Sequence, residues 1–137
     1  MLTTEEVFDR MMELSAGNPN VLFDLDALGG HPSVPSIRAL TVQGRVDASL
    51  IGRWRLTVHA IGATAMSSSE EEAKFIADVE SMLAPNQGWF KVKALVTQKG
   101  WTFPTAIATA LSLVRQDRLE EGSLGNFRLL EPEPEHT

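Results

Sequence analysis

Residues 45–56, RVDASLIGRWRL, align without a gap on residues 118–129, RLEEGSLGNFRL, at a constant offset of 73. Arg45 pairs with Arg118, Val46 with Leu119, Asp47 with Glu120, Gly52 with Gly125, Trp54 with Phe127, Arg55 with Arg128 and Leu56 with Leu129. Each copy reads as a short strand, a Gly-containing turn and a second strand that puts an aromatic residue on the buried face. A chain of 137 residues with such a hairpin twice has room for two small units of related architecture and for no large enzyme scaffold.

The order of elements upstream of each hairpin repeats as well. Thr3 and Glu6 form a capping box before Val7, Met11 and Leu14, which recur at helical spacing to about Ser15. In the second copy Ser67 or Ser68, with Glu70 or Glu71 three residues on, opens a helix with Phe75, Ile76, Val79, Met82 and Leu83 as its apolar stripe. The punctuation AGNPN and APNQG then stops each first helix. A short second helix is expected in VLFDLDALGG, with Leu22, Leu25 and Leu28 inward, and in WFKVKALVTQKGW, with Phe90, Val92 or Ala94, and Leu95 inward. Gly29-Gly30 and Gly100 supply left-handed stops. A third helix begins near a Pro in both copies, with Val34, Ile37 and Leu40 as one core face and Ile107, Ala110, Leu111 and Val114 as the other.

Residues 71–130, and above all TFPTAIATALSLVRQDRLEEGSLGNFRLL, resemble a winged-helix domain, and residues 3–60 resemble a second, more diverged one. The resemblance implies an α+β, mainly helical fold of two winged-helix units in tandem, each with three helices and a β-hairpin wing. Unit 1 would span residues 1–60 and unit 2 residues 70–130, with a linker at 61–69 and an acidic disordered tail at 131–137. The apolar stretch from Val58 to Met66 is expected to pack between the units, because a unit of that size is marginal on its own.

In the family resembled, the third helix often enters the DNA major groove while the wing touches phosphate or the minor groove. That points to Thr105, Thr109, Ser112, Arg115 and Gln116 in the second copy, and to Ser33, Ser36, Arg38 and Gln43 in the first. Arg53 and Arg55 in one wing, and Asn126 and Arg128 in the other, stand where a phosphate would lie, or else pair across the hairpin with Asp47 and Glu120. Lys91, Lys93 and Lys99, on or beside the second helix, either grip flanking phosphate or form a solvated face. Trp54 and Phe127 are expected to seal the core, whereas Trp101, after Gly100, is a candidate for an exposed contact surface.

Charge leaves two functions open. The net charge of −6 opposes indiscriminate coating of nucleic acid. From residue 86 to 128, however, six bases face three acids, a local +3, and from residue 20 to 60 the balance is +1. The first expectation is therefore a small transcriptional regulator that binds double-stranded DNA. Its alternative is a protein-interaction module that serves as adaptor, assembly subunit or inhibitor without binding DNA. A homodimer is compatible with both.

An enzyme reading has no support. His31, His59 and His136 are scattered, and no nucleophile triad, phosphate loop or Glu/His helix motif accompanies them. Asp24 and Asp26 suggest a metal pair, but side chains two apart on a helix diverge, and no cofactor or metal is expected. With no cysteine, folding rests on packing. Every apolar run is far shorter than the roughly twenty residues that span a bilayer, and MLTTEEVFDR opens with acid where a leader peptide carries base. No membrane association and a cytoplasmic location are the corresponding expectations.

Overall fold

A computed structural model describes residues 2–50, 52–83 and 88–130. The tail at 131–137 and residues 84–87 of the APNQG punctuation lie outside the described residues. The fold is α+β, with six α-helices and two three-stranded antiparallel sheets among the described residues.

The first unit opens with α1 (Thr4–Ser15), capped reciprocally by Thr3 and Glu6, and buries Val7, Phe8 and Met11. The chain then enters β1 (Phe23–Asp24), two 3-10 turns (Asp26–Leu28 and His31–Ser33), α2 (Val34–Val42), β2 (Val46–Leu50) and β3 (Arg53–Leu56). After α3 (Val58–Gly62), the second unit runs α4 (Ser69–Met82), β4 (Trp89–Lys91), α5 (Val92–Lys99), α6 (Phe103–Arg115), β5 (Leu119–Glu121) and β6 (Asn126–Leu129). Ser68 and Glu71 form the second capping box. The sheet orders correspond, β1-β3-β2 and β4-β6-β5.

The 73-residue offset extends beyond the hairpins into the third helices. The Arg45 amide donates to Leu40 O and the Arg118 amide to Leu113 O, both at 2.9 Å. The Thr57 amide reaches Arg45 O and the Leu130 amide reaches Arg118 O, at 3.0 and 3.1 Å. Gly44 (φ 74°) and Asp117 (φ 58°) make the same left-handed turn between helix and hairpin. The first strands follow a different offset. Phe23 faces Trp54 and Phe90 faces Phe127, so these two phenylalanines are 67 residues apart.

Those six missing residues account for the main departure from expectation. Unit 2 has room between its first strand and third helix for the two turns of α5, whereas unit 1 compresses that region into 3-10 turns. VLFDLDALGG is therefore no helix: Phe23, in β1, and Leu28 are its buried residues, and Leu22 and Leu25 are only partly buried. In WFKVKALVTQKGW the helix starts at Val92, and Trp89, Phe90 and Lys91 belong to β4. Asp24 Oδ1 accepts the Ala27 amide at 2.9 Å, so this carboxylate caps the first 3-10 turn. Gly29 (φ 103°) closes the first 3-10 turn and Gly100 (φ 75°) stops α5, both in the left-handed region.

The stretch TVHAIGATAMSSS, which contains the expected linker, begins as a helix. The Thr57 hydroxyl accepts the Ala60 amide at 3.2 Å and donates to Gly44 O at 2.8 Å, which caps α3 and ties it to unit 1. Val58, Ala60 and Ile61 are buried, and α3 packs on α6 of unit 2. Met66 does not share this packing and is 90% exposed. The buried apolar residues form one cluster that includes Met11 and Leu40 of unit 1, Ile61 of α3, and Phe75 and Phe127 of unit 2. A second contact joins the loop after α1 to unit 2, because a Cβ built on Gly17 would stand 2.9 Å from the Pro104 ring.

Candidate functional site

The third helix of each unit, with its hairpin, is where the sequence points, and the two helices present different outer faces. On α6 the segment from Ala106 to Leu111 is buried without a break, and Leu113 follows. One side of the helix meets α4, α5 and β5, and the other meets α3. Gly62 makes that second contact possible: a Cβ added there would lie 2.7 Å from Leu111 Cδ1, 3.2 Å from Ile107 Cγ2 and 3.7 Å from Ala108 Cα. The covered side of α6 is thus Ile107, Ala108 and Leu111.

At the 73-residue offset these three residues correspond to Val34, Pro35 and Arg38 of α2. Here Val34 is half-buried, and Pro35 and Arg38 are exposed. The same face lies open as a groove of about 490 Å³ between α2 and the hairpin, with Val34, Ile37, Val42, Ala48 and Trp54 among its lining and Arg38 on it. Val42 is 87% exposed. Trp54 is accordingly half-buried at the groove edge, where a core position was expected, and Phe127 alone of that pair is sealed in.

Several expected contact residues are not at the surface. Ser36 is buried, and its hydroxyl donates to Leu2 O at 3.1 Å. Thr109 is fully buried and bonds back to Thr105 O at 2.8 Å, and Ser33 is also buried. The cause is that both third helices are covered on more than the one face that apolar periodicity marks. Thr109 fits there because a carbonyl of its own helix satisfies it, and Ser36 because the Leu2 carbonyl does. Thr105 is half-buried.

Others are engaged by carboxylates. Glu72 of α4 accepts from Ser112 Oγ at 3.0 Å and from Gln116 Nε2 at 3.1 Å, which ties the exposed end of α6 to an acid. Arg55 Nη2 lies 3.3 Å from Asp47 Oδ2, its cross-strand neighbour, and Arg128 pairs with Glu120 in the same register of the other hairpin. Of the two arrangements open to these arginines, the cross-strand one is adopted. Gln43 Oε1 accepts from Arg45 Nη1 at 3.1 Å. Arg45 also grips Glu5 with both Nη atoms at 2.7 and 3.1 Å, and this hydrogen-bonded pairing lowers the Glu5 pKa and raises that of Arg45.

The remaining cations fall in separate places. Lys91 and Lys93 are exposed beside Trp89, Thr97 and Asn126 along a shallow groove between β4, α5 and β6. Lys99 is exposed at the end of α5, Arg53 on the first hairpin, and Arg115 beside Met66 at the end of α6. Trp101, a candidate contact residue, is instead 7% exposed: its indole N–H donates to Asp78 Oδ2 at 2.8 Å and its ring stands edge-on to Phe75 at 5.6 Å.

The chain matches no protein-family model, no curated protein and no solved structure. Among the described residues no group of three or more His, Cys, Asp or Glu is placed to hold a metal ion, and no helix is long and apolar enough to cross a membrane. What sequence reasoning missed is the apolar groove on α2. Its signal was available in the repeat itself, where exposed Val42 stands in place of Arg115.

Proposed function

We propose that this chain is a tandem winged-helix protein whose third helices and hairpins bind protein rather than duplex DNA. Support for the winged-helix reading comes from the order helix, strand, helical turn, helix, hairpin, found twice with corresponding strand orders. The observation that carries the protein-binding reading is the seating of α3 on α6. A helix that reads the major groove needs a free polar face, and α6 keeps Arg115 there while Ile107, Ala108 and Leu111 lie under α3. The corresponding face of α2 is open but apolar. A groove of Val, Ile, Ala and Trp with one guanidinium suits a protein segment better than a phosphate backbone.

DNA binding, with a role in transcription regulation, is the second reading, favoured by exposed Lys91 and Lys93 flanking one groove with Asn126. Fluorescence anisotropy of a labelled duplex, at salt concentrations of about 50 and 200 mM, separates the two. The protein-binding reading expects no saturable binding at either. Binding that falls steeply with salt and weakens in Arg115→Ala or Lys91→Ala would reverse the order of the two readings.

A further inference from the structure

The internal repeat contains both an occupied and an empty version of one seat. In unit 2 a short helix lies across Ile107, Ala108 and Leu111, with a glycine at the point of closest approach. In unit 1 the corresponding Val34 and Arg38 line the open groove, together with Val42 and Trp54. We propose that this groove is the seat of a short amphipathic helix of a partner protein, which brings small apolar residues to Val34 and a carboxylate to Arg38. The proposal rests on the protein-binding reading and specifies the partner it implies.

Two features define the occupant. The first is shape: the companion seat shows that the third helix of this architecture accepts a helix of little more than one turn, provided a small residue faces it. The second is charge. Where unit 2 has Leu111, unit 1 has Arg38, and no ion pair or hydrogen bond of the Arg38 side chain occurs among the described residues. Covering an unpaired guanidinium is costly unless the covering surface supplies an acid. An acidic, small-residue helix satisfies both features; a bulky helix fails the first and a basic one the second.

The probe is a lactam-bridged helical peptide of residues 57–66 of this chain, in two forms: Ala63→Glu and Ala63→Lys. Residue 63 is chosen because Ala63 borders the same hollow as Leu111, the counterpart of Arg38. Each form is titrated into the full-length ¹⁵N-labelled protein. The expected result is amide shifts at Val34, Arg38 and Val42 and an indole shift at Trp54, with the Lys form weaker by about tenfold. Arg38→Glu, an exposed substitution, should invert that preference, and Val42→Asp should weaken both forms.

No shift with either form at millimolar concentration would overturn the proposal, as would equal affinity of the two forms or shifts confined to unit 2. Broadening of the same resonances with protein concentration alone would assign the groove to a second copy and also overturn it. Duplex DNA, titrated in parallel, keeps the two readings distinct. DNA shifts at Arg115 or Lys91 count against the protein-binding reading, whereas peptide failure without DNA binding counts against this seat alone.

Discussion

Gly62 lies against Leu111 so closely that a Cβ on the glycine would stand 2.7 Å from Leu111 Cδ1. This contact joins the two units and closes the outer face of α6. Replacing Gly62 by Ala adds helix propensity, at most about 1 kcal/mol at this last position of α3, which offsets part of the crowding, so Ala tests the contact poorly. Gly62→Leu cannot be housed beside Leu111 and Ile107, and overpacking of this kind costs about 1–3 kcal/mol. Chemical denaturation should show that loss with an unchanged m-value.

The position of a chain break matters more than its mere presence. Cutting after Met66 leaves α3 with unit 1 and strips Ile107, Ala108 and Leu111 of their cover. A fragment of residues 57–137 keeps that cover. We expect the 57–137 fragment to melt cooperatively by circular dichroism and the 67–137 fragment to melt broadly or bind a hydrophobic dye. Equal cooperativity of the two fragments would show that α3 adds nothing to unit 2.

Trp101 and Asp78 make a local test of the core of unit 2. The Trp101 indole N–H meets Asp78 Oδ2 at 2.8 Å, and Lys74 Nζ lies 4.6 Å from the centroid of the indole ring. Trp101→Phe should cost about 1–2 kcal/mol, because the ring is largely kept while a part-buried carboxylate loses its donor. Trp101→Ala should cost about 3–5 kcal/mol. The blue-shifted part of the tryptophan emission should disappear in both variants.

Asp117 occupies a left-handed turn (φ 58°) that unit 1 makes with Gly44 (φ 74°). Glycine adopts this conformation without steric cost, and aspartate tolerates it less well. Asp117→Gly should therefore leave stability unchanged or raise it by about 0.5 kcal/mol, while Gly44→Val should lower it by about 1–2 kcal/mol. Thermal melts of the two variants would check the pair.

The hairpins and first helices were legible because their signals are local. The 73-residue offset preserves a period-two pattern around fixed glycines, and Thr3 with Glu6, like Ser68 with Glu71, marks a helix start within four residues. The strands β1 and β4 were not legible. Two or three residues carry no period, and what makes them strands is pairing with Trp54 and Phe127 far along the chain. Helix α3 was hidden for a related reason. VHAIG is too short and too rich in small residues to show an apolar stripe, and those small residues gain meaning only against α6.

The candidate site was legible in outline and misread in detail. Polarity placed Ser36 and Thr109 on a contact face, but their hydroxyls are satisfied within the fold. Arg55 and Arg128 lie on the hairpin strands, and the acids that pair with them were already visible in the repeat as Asp47 and Glu120. The open face of α2 had a local signal in Val42, but the cover on α6 had none, since it depends on a helix supplied by the connection between the units.

The most direct measurement is therefore a nuclear Overhauser experiment on the methyl-labelled, full-length protein, recorded with and without excess duplex DNA. Cross-peaks from the Gly62 α-protons to the Leu111 and Ile107 methyls should be strong, and DNA should leave them unchanged. Their absence, or their loss on adding DNA together with shifts at Arg115, would mean that the outer face of α6 is open to a ligand after all and would contradict the account.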